Sequence, residues 1–470
     1  MFVRNLRISL CLVFLAGSVT AADWTRFRGP NGSGVSADGP TPPTTWSDSE
    51  NVKWKAVLPG PGLSSPIVFG DRVVITCWSG YAVDARDLGS QEDLKRNVVC
   101  LDRQTGDVLW SHEEPALLPE DTFSRMFVQN GYASHSPVTD GERVYVFFGK
   151  TGVLAFDLGD GRKLWQESVG ENREGKGWGS ASSPIVHNGL VIVPAFIEGD
   201  ALVAFDGKTG KVAWKQEAPG YRSNWSTPIL VEANDRTDLV MTVPGEVWGL
   251  NPANGKLRWY CEIPGSDGAR PSVISAGDVI VAMGSGRGGG SSSAIAVRAG
   301  GKGDVKDTHQ IWEGRETSSI GTPVIRDGQL YVVKNKVVTS VDMKTGKRVA
   351  QTRLTGSGGN ADASSDDNRE ERPDRGDRGQ GGGRSGGGRG GFGGGMGGQD
   401  YSSPVIAGNN LYWASRAGDV FVVELGDSMK QVSRNSFDSD RGEYSSTPAI
   451  SNGELFIRSA GSLYCVANKE

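Results

Sequence analysis

The feature that most constrains this chain is a short motif that returns eight times. Each copy is a run of small residues ending in proline, or in Pro-Ser at one position. The copies are Ser64-Ser65-Pro66, Ser136-Pro137, Ser182-Ser183-Pro184, Ser226-Thr227-Pro228, Arg270-Pro271-Ser272, Gly321-Thr322-Pro323, Ser402-Ser403-Pro404 and Ser446-Thr447-Pro448. A short apolar strand such as Ile185-Val186 follows each. A tight turn comes next, Asp140-Gly141 or Asn452-Gly453 for example, with hairpin chemistry. Then come a second strand (Val144 to Phe147), a third (Leu202 to Asp206), another turn, and a fourth strand that commonly holds tryptophan.

Four short strands in a unit of roughly 45 residues are the sequence signature of a propeller blade. The expected fold is all-β: an eight-bladed β-propeller of four-stranded antiparallel blades. The 68 glycines and 13 tryptophans of the 470 residues suit that architecture. Tryptophan recurs at Trp110, Trp165, Trp214, Trp259 and Trp312. The pattern Asp-x-x-Thr-Gly-x-x-x-Trp is intact from Asp102 to Trp110 and from Asp206 to Trp214. The motif resembles the tryptophan-docking repeat of the quinoprotein (PQQ-type) propellers, whereas the Gly-His and Trp-Asp signature of WD-type propellers is missing.

At one register the third strands carry a small residue: Cys100, Ala155, Ala204, Gly249, Ala296, Ser340 and Cys465, with Glu424 as the exception in blade seven. A small side chain there lets the tryptophan and the next sheet approach closely. Cys100 and Cys465 then act as small buried hydrophobes. A Cys77–Cys100 disulfide is the sharper alternative, but the register sets the pair diagonally, which disfavours the bond. Cys261 joins no metal or redox motif.

The last repeat stops after its third strand, and Val52-Lys53-Trp54-Lys55 matches Val212-Ala213-Trp214-Lys215, a fourth strand without its first three. The N-terminal segment, residues 22–60, is therefore expected to complete the last blade and close the ring. Antiparallel strands send their connections alternately to two faces. The long insertions, Gly80 to Asn97, Glu114 to His135, Gly284 to Ser293 and Gly356 to Gln399, all fall on the face of the inter-blade and strand-two-to-three connections. Turns on the other face are mostly a few residues long. Loops gathered on one face of a repeat scaffold usually carry its binding function.

Residues 1–21 read as a signal peptide: Arg4 and Arg7, an apolar stretch from Ile8 to Ala16, and small residues Val19-Thr20-Ala21. Ser18 stands where a lipidated cysteine would follow Leu15-Ala16-Gly17, so a soluble periplasmic or secreted protein starting near Ala22 is expected. No other run is long and apolar enough to span a membrane. Taking the two arginines from the net charge of −5 leaves −7, and an acidic surface argues against nucleic acid as a partner. The propeller domain covers 22–470. Its 356–399 insertion, rich in Gly, Arg and Asp, is expected to be disordered, since it lacks the apolar area to offset ordering.

Chemistry is harder to find. The four histidines, His112, His135, His187 and His309, form no metal-ligand pair, and no Gly-x-Ser-x-Gly elbow occurs. Asp157 to Gly161 reads as a turn rather than a calcium loop. Residues ahead of the first strands should gather at the mouth of the central channel on the long-loop face: Tyr132, His135, Trp178, Arg222, Asn224, Trp225, Arg270, Tyr401 and Tyr444. Aromatic, Arg and Asn side chains suit a flat or anionic ligand; the alternative is packing around a plugged channel. Two functions stay open. One is a non-catalytic binding or scaffolding module for a protein or small ligand, as the resemblance to the BamB-type outer-membrane assembly propeller implies. The other is a PQQ-dependent dehydrogenase oxidising alcohols or sugars, with PQQ and calcium. The adjacent cysteines of the best-known branch of those enzymes are missing, and no calcium set or catalytic Asp is assignable. No catalytic residue, metal or cofactor is expected, and a monomer is.

Overall fold

The computed structural model describes residues 23–37, 39–84, 86–124, 127–173, 177–286, 293–356, 399–426 and 428–469. The segment read as a signal peptide and most of the 356–399 insertion lie outside them. Eight sheets stand around the ring; seven have four strands and one has five. Blade three shows the plan. Ile185–His187, Leu190–Ala195, Ala201–Asp206 and Val212–Glu217 pair antiparallel in that order. The first hairpin turns at Asn188-Gly189, both with positive φ (47° and 75°), as its two-residue turn requires. The middle strands are apolar on both faces because a neighbouring blade covers each face. The outer strand alternates, with Trp214 inward and Val212, Ala213 and Lys215 exposed.

Closure runs through the N-terminal segment, as expected. Val52–Val57 pairs with Ser462–Val466 as the fourth strand of blade eight. Trp54 lies opposite Cys465 there, just as Trp214 lies opposite Ala204. The small-residue register follows from this pairing. Cys100, Ala155, Gly249 and Ala296 likewise face Trp110, Trp165, Trp259 and Trp312. A Cβ at Gly249 would stand 2.0 Å from the Trp259 ring, so the indole lies directly over its cross-strand partner. Blade seven needs a correction. The residue at this register is Val422, opposite Ser433, and Glu424 sits two positions on, opposite Lys430. With serine in place of the indole, the partner need not be small, and no tryptophan marks the register in the sequence.

Each docked indole also reaches the next blade. Trp54, Trp110, Trp165, Trp214 and Trp312 donate their Nε1–H to the carbonyls of Arg103, Leu158, Gly207, Pro252 and Met343 at 2.8–3.1 Å. Their rings lie on the turn glycines Gly106, Gly161, Gly210, Gly255 and Gly346, where an added Cβ would come within 2.8 Å. This explains the Thr-Gly of the repeat. Trp259 departs from the plan: its Nε1–H donates to the fully buried Asp238 at 2.7 Å, which Arg236 and Arg258 also hold. Here the turn between strands three and four of blade five is long, residues 299–309. It lays Gly303–Asp304 parallel to the outer strand of blade four as a fifth strand. The short-turn face thus carries one long excursion that the sequence reading did not single out.

Asp157 to Gly161 is a turn, the Asp157 carboxylate accepting from the backbone of Gly159 and Asp160. Cys77 and Cys100 are free and buried. Cys77 stands opposite Asn97 and Cys100 opposite Val74, three positions apart along the strand and so on opposite faces.

Candidate functional site: a bowl floored by a ring of hydroxyls

The eight small-residue motifs meet around the axis. Each presents one hydroxyl, and each hydroxyl accepts a hydrogen bond from a backbone N–H of a neighbouring blade. Ser65 N–H donates to Ser136, Ser136 to Ser183, Ser183 to Thr227, and Thr227 to Ser272. Ser272 donates to Thr322, Thr322 to Ser403, Ser403 to Thr447, and Thr447 back to Ser65, all at 2.9–3.2 Å. The ring closes without a gap. In seven motifs the hydroxyl residue precedes proline, which has no N–H to offer the next position. In blade five it is Ser272, after Pro271, so the inverted Pro-Ser keeps the hydroxyl in place.

Above this ring lies a cavity of about 660 Å³. All eight ring residues line it, with Trp178, Trp225, Arg270, Tyr401 and, from below, Phe27. Trp225 is held by its Nε1–H on the Gly179 carbonyl at 2.8 Å, and Asn130 Nδ2 fixes the Trp178 carbonyl at 2.6 Å. Tyr401 lies within reach of Arg416, 5.9 Å from its ring centre. Burial pushes its hydroxyl up to about 12, and among the described residues that oxygen has no hydrogen-bond partner.

From the opposite face, the N-terminal arm stops the channel. Trp24 pairs with Val68 of blade one, Thr25 accepts from Thr139 of blade two, Asn31 exchanges bonds with Leu230 of blade four, and Gly34 and Ser36 bracket Ile406 of blade seven. Between these contacts Arg26 and Arg28 enter the axis. Arg28 donates to the carbonyls of Gly32, Ser33, Thr322, Pro323 and Pro404 at 2.6–3.2 Å, and Arg26 to that of Pro228 at 2.6 Å. Among the described residues neither meets a carboxylate, and burial draws Arg28 down to about 9 and Arg26 to about 10. The arm plugs the channel below the ring.

Of the nine residues singled out in the sequence, the structure brings Trp178, Trp225, Arg270 and Tyr401 into the bowl. The other five lie elsewhere. Arg222 points outward into a bidentate pair with Asp200 (2.7 and 2.5 Å). Asn224 is buried and bonds the Thr242 carbonyl and the Ser226 N–H. Tyr444 is buried with its hydroxyl on the Asp440 carbonyl. Tyr132 and His135 sit behind the bowl wall, where Arg96, Glu120, Lys150, Ser180 and Glu198 surround a second cavity of about 30 Å³. There His135 meets Ser180 Oγ at 3.0 Å, and Ser180 donates to Glu198. Burial holds His135 down at about 3 and raises Glu198 to about 7. Successive residues in an extended segment point to opposite sides, so Ser134 and Ser136 face the bowl while His135 faces away. Sequence reasoning missed Phe27, Asn130, Ser134, Gln399, Ser445 and the hydroxyl ring as lining. The ring alone was legible, as the one position with Ser or Thr in every repeat.

The sequence profile of the family described as "Outer membrane protein assembly factor BamB" matches residues 32–181 and 176–352. The chain belongs to that family. Among solved structures, BamB from Moraxella catarrhalis is similar with a TM-score of 0.57 at 11% identity, covering 89% of this chain and 98% of that one. A europium-containing methanol dehydrogenase is similar with a TM-score of 0.56 at 11% identity, covering 94% and 90%. At such identities both share the fold alone. A polyvinylalcohol dehydrogenase from Pseudomonas sp is 24% identical over 275 residues, covering 48% of this chain and 39% of that protein. The chain therefore matches about two fifths of that relative's length. Among the described residues no helix is long and apolar enough to cross a membrane.

Proposed function

We propose that this member of the BamB family is a binding propeller without catalysis of its own. It works outside the cytoplasm as a monomer and receives a protein partner or small ligand in the bowl of its long-loop face. The observation that carries this reading is the bowl itself: a preformed concavity with half-buried Trp178 and Trp225, free polar groups, and no carboxylate, histidine or cysteine among its described lining residues. A general base or a hard-cation site needs such groups.

The likeness to polyvinylalcohol dehydrogenase supports a second reading, a quinone-dependent alcohol oxidation. Calcium beside PQQ calls for carboxylate oxygens, and the described lining supplies none, so the residues do not fit that pair. The test has two arms. Reconstitution with PQQ and calcium, followed by dye-linked assays on polyvinyl alcohol and primary alcohols, is expected to give no turnover; robust turnover replaces the binding reading with the enzymatic one. Against an identified partner or ligand, Trp178→Ala with Trp225→Ala should weaken binding at least tenfold. Charge changes in the short turns, at Asp140 and Asp327, should leave it unchanged. The reverse pattern would move the site to the other face.

A further inference from the structure

The hydroxyl ring has a chemical polarity of its own. A serine or threonine hydroxyl has one proton to donate and two lone pairs. Each of the eight has spent a lone pair on a backbone N–H. None donates its proton to any described protein atom. All are at least nine-tenths buried, and all border the bowl. The floor therefore presents a closed circle of eight O–H donors with no acceptor assigned to them.

The charges point the same way. Arg270 stands in the lining with no hydrogen bond or ion pair among the described residues. Below the ring, Arg26 and Arg28 bond only to carbonyls. Beside it, buried Arg458 bonds only Ser64 and the Thr76 carbonyl, leaving its Nε and Nη2 unpartnered. Buried charge is ordinarily paired, yet three guanidinium groups surround this floor with no carboxylate partner among the described residues, in a chain whose net charge is negative.

From this juxtaposition we infer that the floor of the bowl is an oxyanion receptor. It takes the carboxylate or similar oxyanion group of a small organic acid, with the ring hydroxyls and Arg270 as donors and Trp178 and Trp225 against the apolar remainder. The inference rests on the bowl being the binding site and adds the charge class of its ligand. Charge-assisted hydrogen bonds to several donors at once select an oxyanion over its neutral amide.

The experiment is calorimetric titration of the full ring with benzoate, isophthalate and, as the neutral counterpart, benzamide. Saturable binding of the two acids is expected, weakening as sodium chloride is raised, with benzamide at least tenfold weaker. Arg270→Gln should weaken isophthalate binding at least tenfold at an unchanged melting temperature, and Arg270→Lys should restore part of it. Thr227→Val with Thr447→Val, checked by thermal melting, should weaken the acids and spare benzamide. Benzamide binding as tightly as benzoate would overturn the oxyanion inference and leave the bowl as a binding site. So would acid binding that ignores Arg270→Gln, or no binding of either acid. A bowl that binds oxyanions but ignores every substitution on its aromatic wall would count against the wider reading instead.

Discussion

Five junctions of the ring are held by an indole docked on the turn of the next blade, while the junctions from blade six to seven and seven to eight have Ala350 and Ser433 where the tryptophan would stand. The N-terminal arm serves both of the undocked junctions. Arg28 bonds carbonyls of blades six and seven together. Trp46, buried in the core shared by blades seven and eight, donates its backbone N–H to Asn435 Oδ1 at 3.0 Å. Further along, the same arm becomes the fourth strand of blade eight. The docked half is thus stapled locally, each blade by its neighbour. The undocked half is stapled by one remote segment, whose ends must both be in place. A ring built this way concentrates its dependence on long-range contacts at one seam, where loop-closure entropy must be met before any contact rewards it.

The largest expected effect comes from removing the remote staple. A chain beginning at Ser64 should lose the cooperative melt of the full ring, because blade eight keeps an open edge and Arg28 and Trp46 go with the arm. Differential scanning calorimetry checks this. A melt as sharp and as hot would show that the undocked half stands by itself. A smaller effect probes the docked half. Gly346→Ala sets a Cβ 2.6 Å from the Trp312 ring at φ 67°, and should cost roughly 4 kcal/mol from overpacking and left-handed backbone together. Gly189→Ala, at φ 75° with nothing within 4 Å, carries only the backbone part, about 1 kcal/mol. Equal losses in urea titrations would mean that the indole contact adds nothing.

The most gradual effect is a pH dependence within the docked half. Glu198 is raised to about 7 by burial, so the folded state holds a proton that the unfolded state releases near 4.5. Stability from this group is complete below the unfolded value and falls as pH rises toward 7, by at most about 3 kcal/mol. Glu198→Gln should flatten the melting temperature between pH 4.5 and 7 relative to the parent. An unchanged slope would show that the fold does not raise Glu198 above its unfolded value.

Much of this molecule was legible in one dimension because a propeller repeats its local chemistry. The turn glycines, the tryptophans and the hydroxyl before proline recur at fixed spacing, since each blade meets the same neighbours. Blade seven was misread at Glu424 because Ser433 erased the landmark that sets the register. The site was legible only in part. Trp178, Trp225, Arg270 and Tyr401, singled out by position ahead of a first strand, line the bowl. Tyr132, His135, Arg222, Asn224 and Tyr444 share that position but turn away or are held by Asp200, Thr242 or Asp440.

The sequence by itself determined the number of blades, the order of the four strands common to every blade and the closing strand, because each follows from local periodicity and the alternation of antiparallel strands. Only the tertiary structure decided which residues share the bowl, that eight hydroxyls join in one ring, and that Arg26 and Arg28 stop the channel from below. Those facts depend on side-chain direction within irregular segments and on contacts between residues as far apart as Ser65 and Thr447, 382 positions along the chain. No pattern of spacing along the chain encodes either.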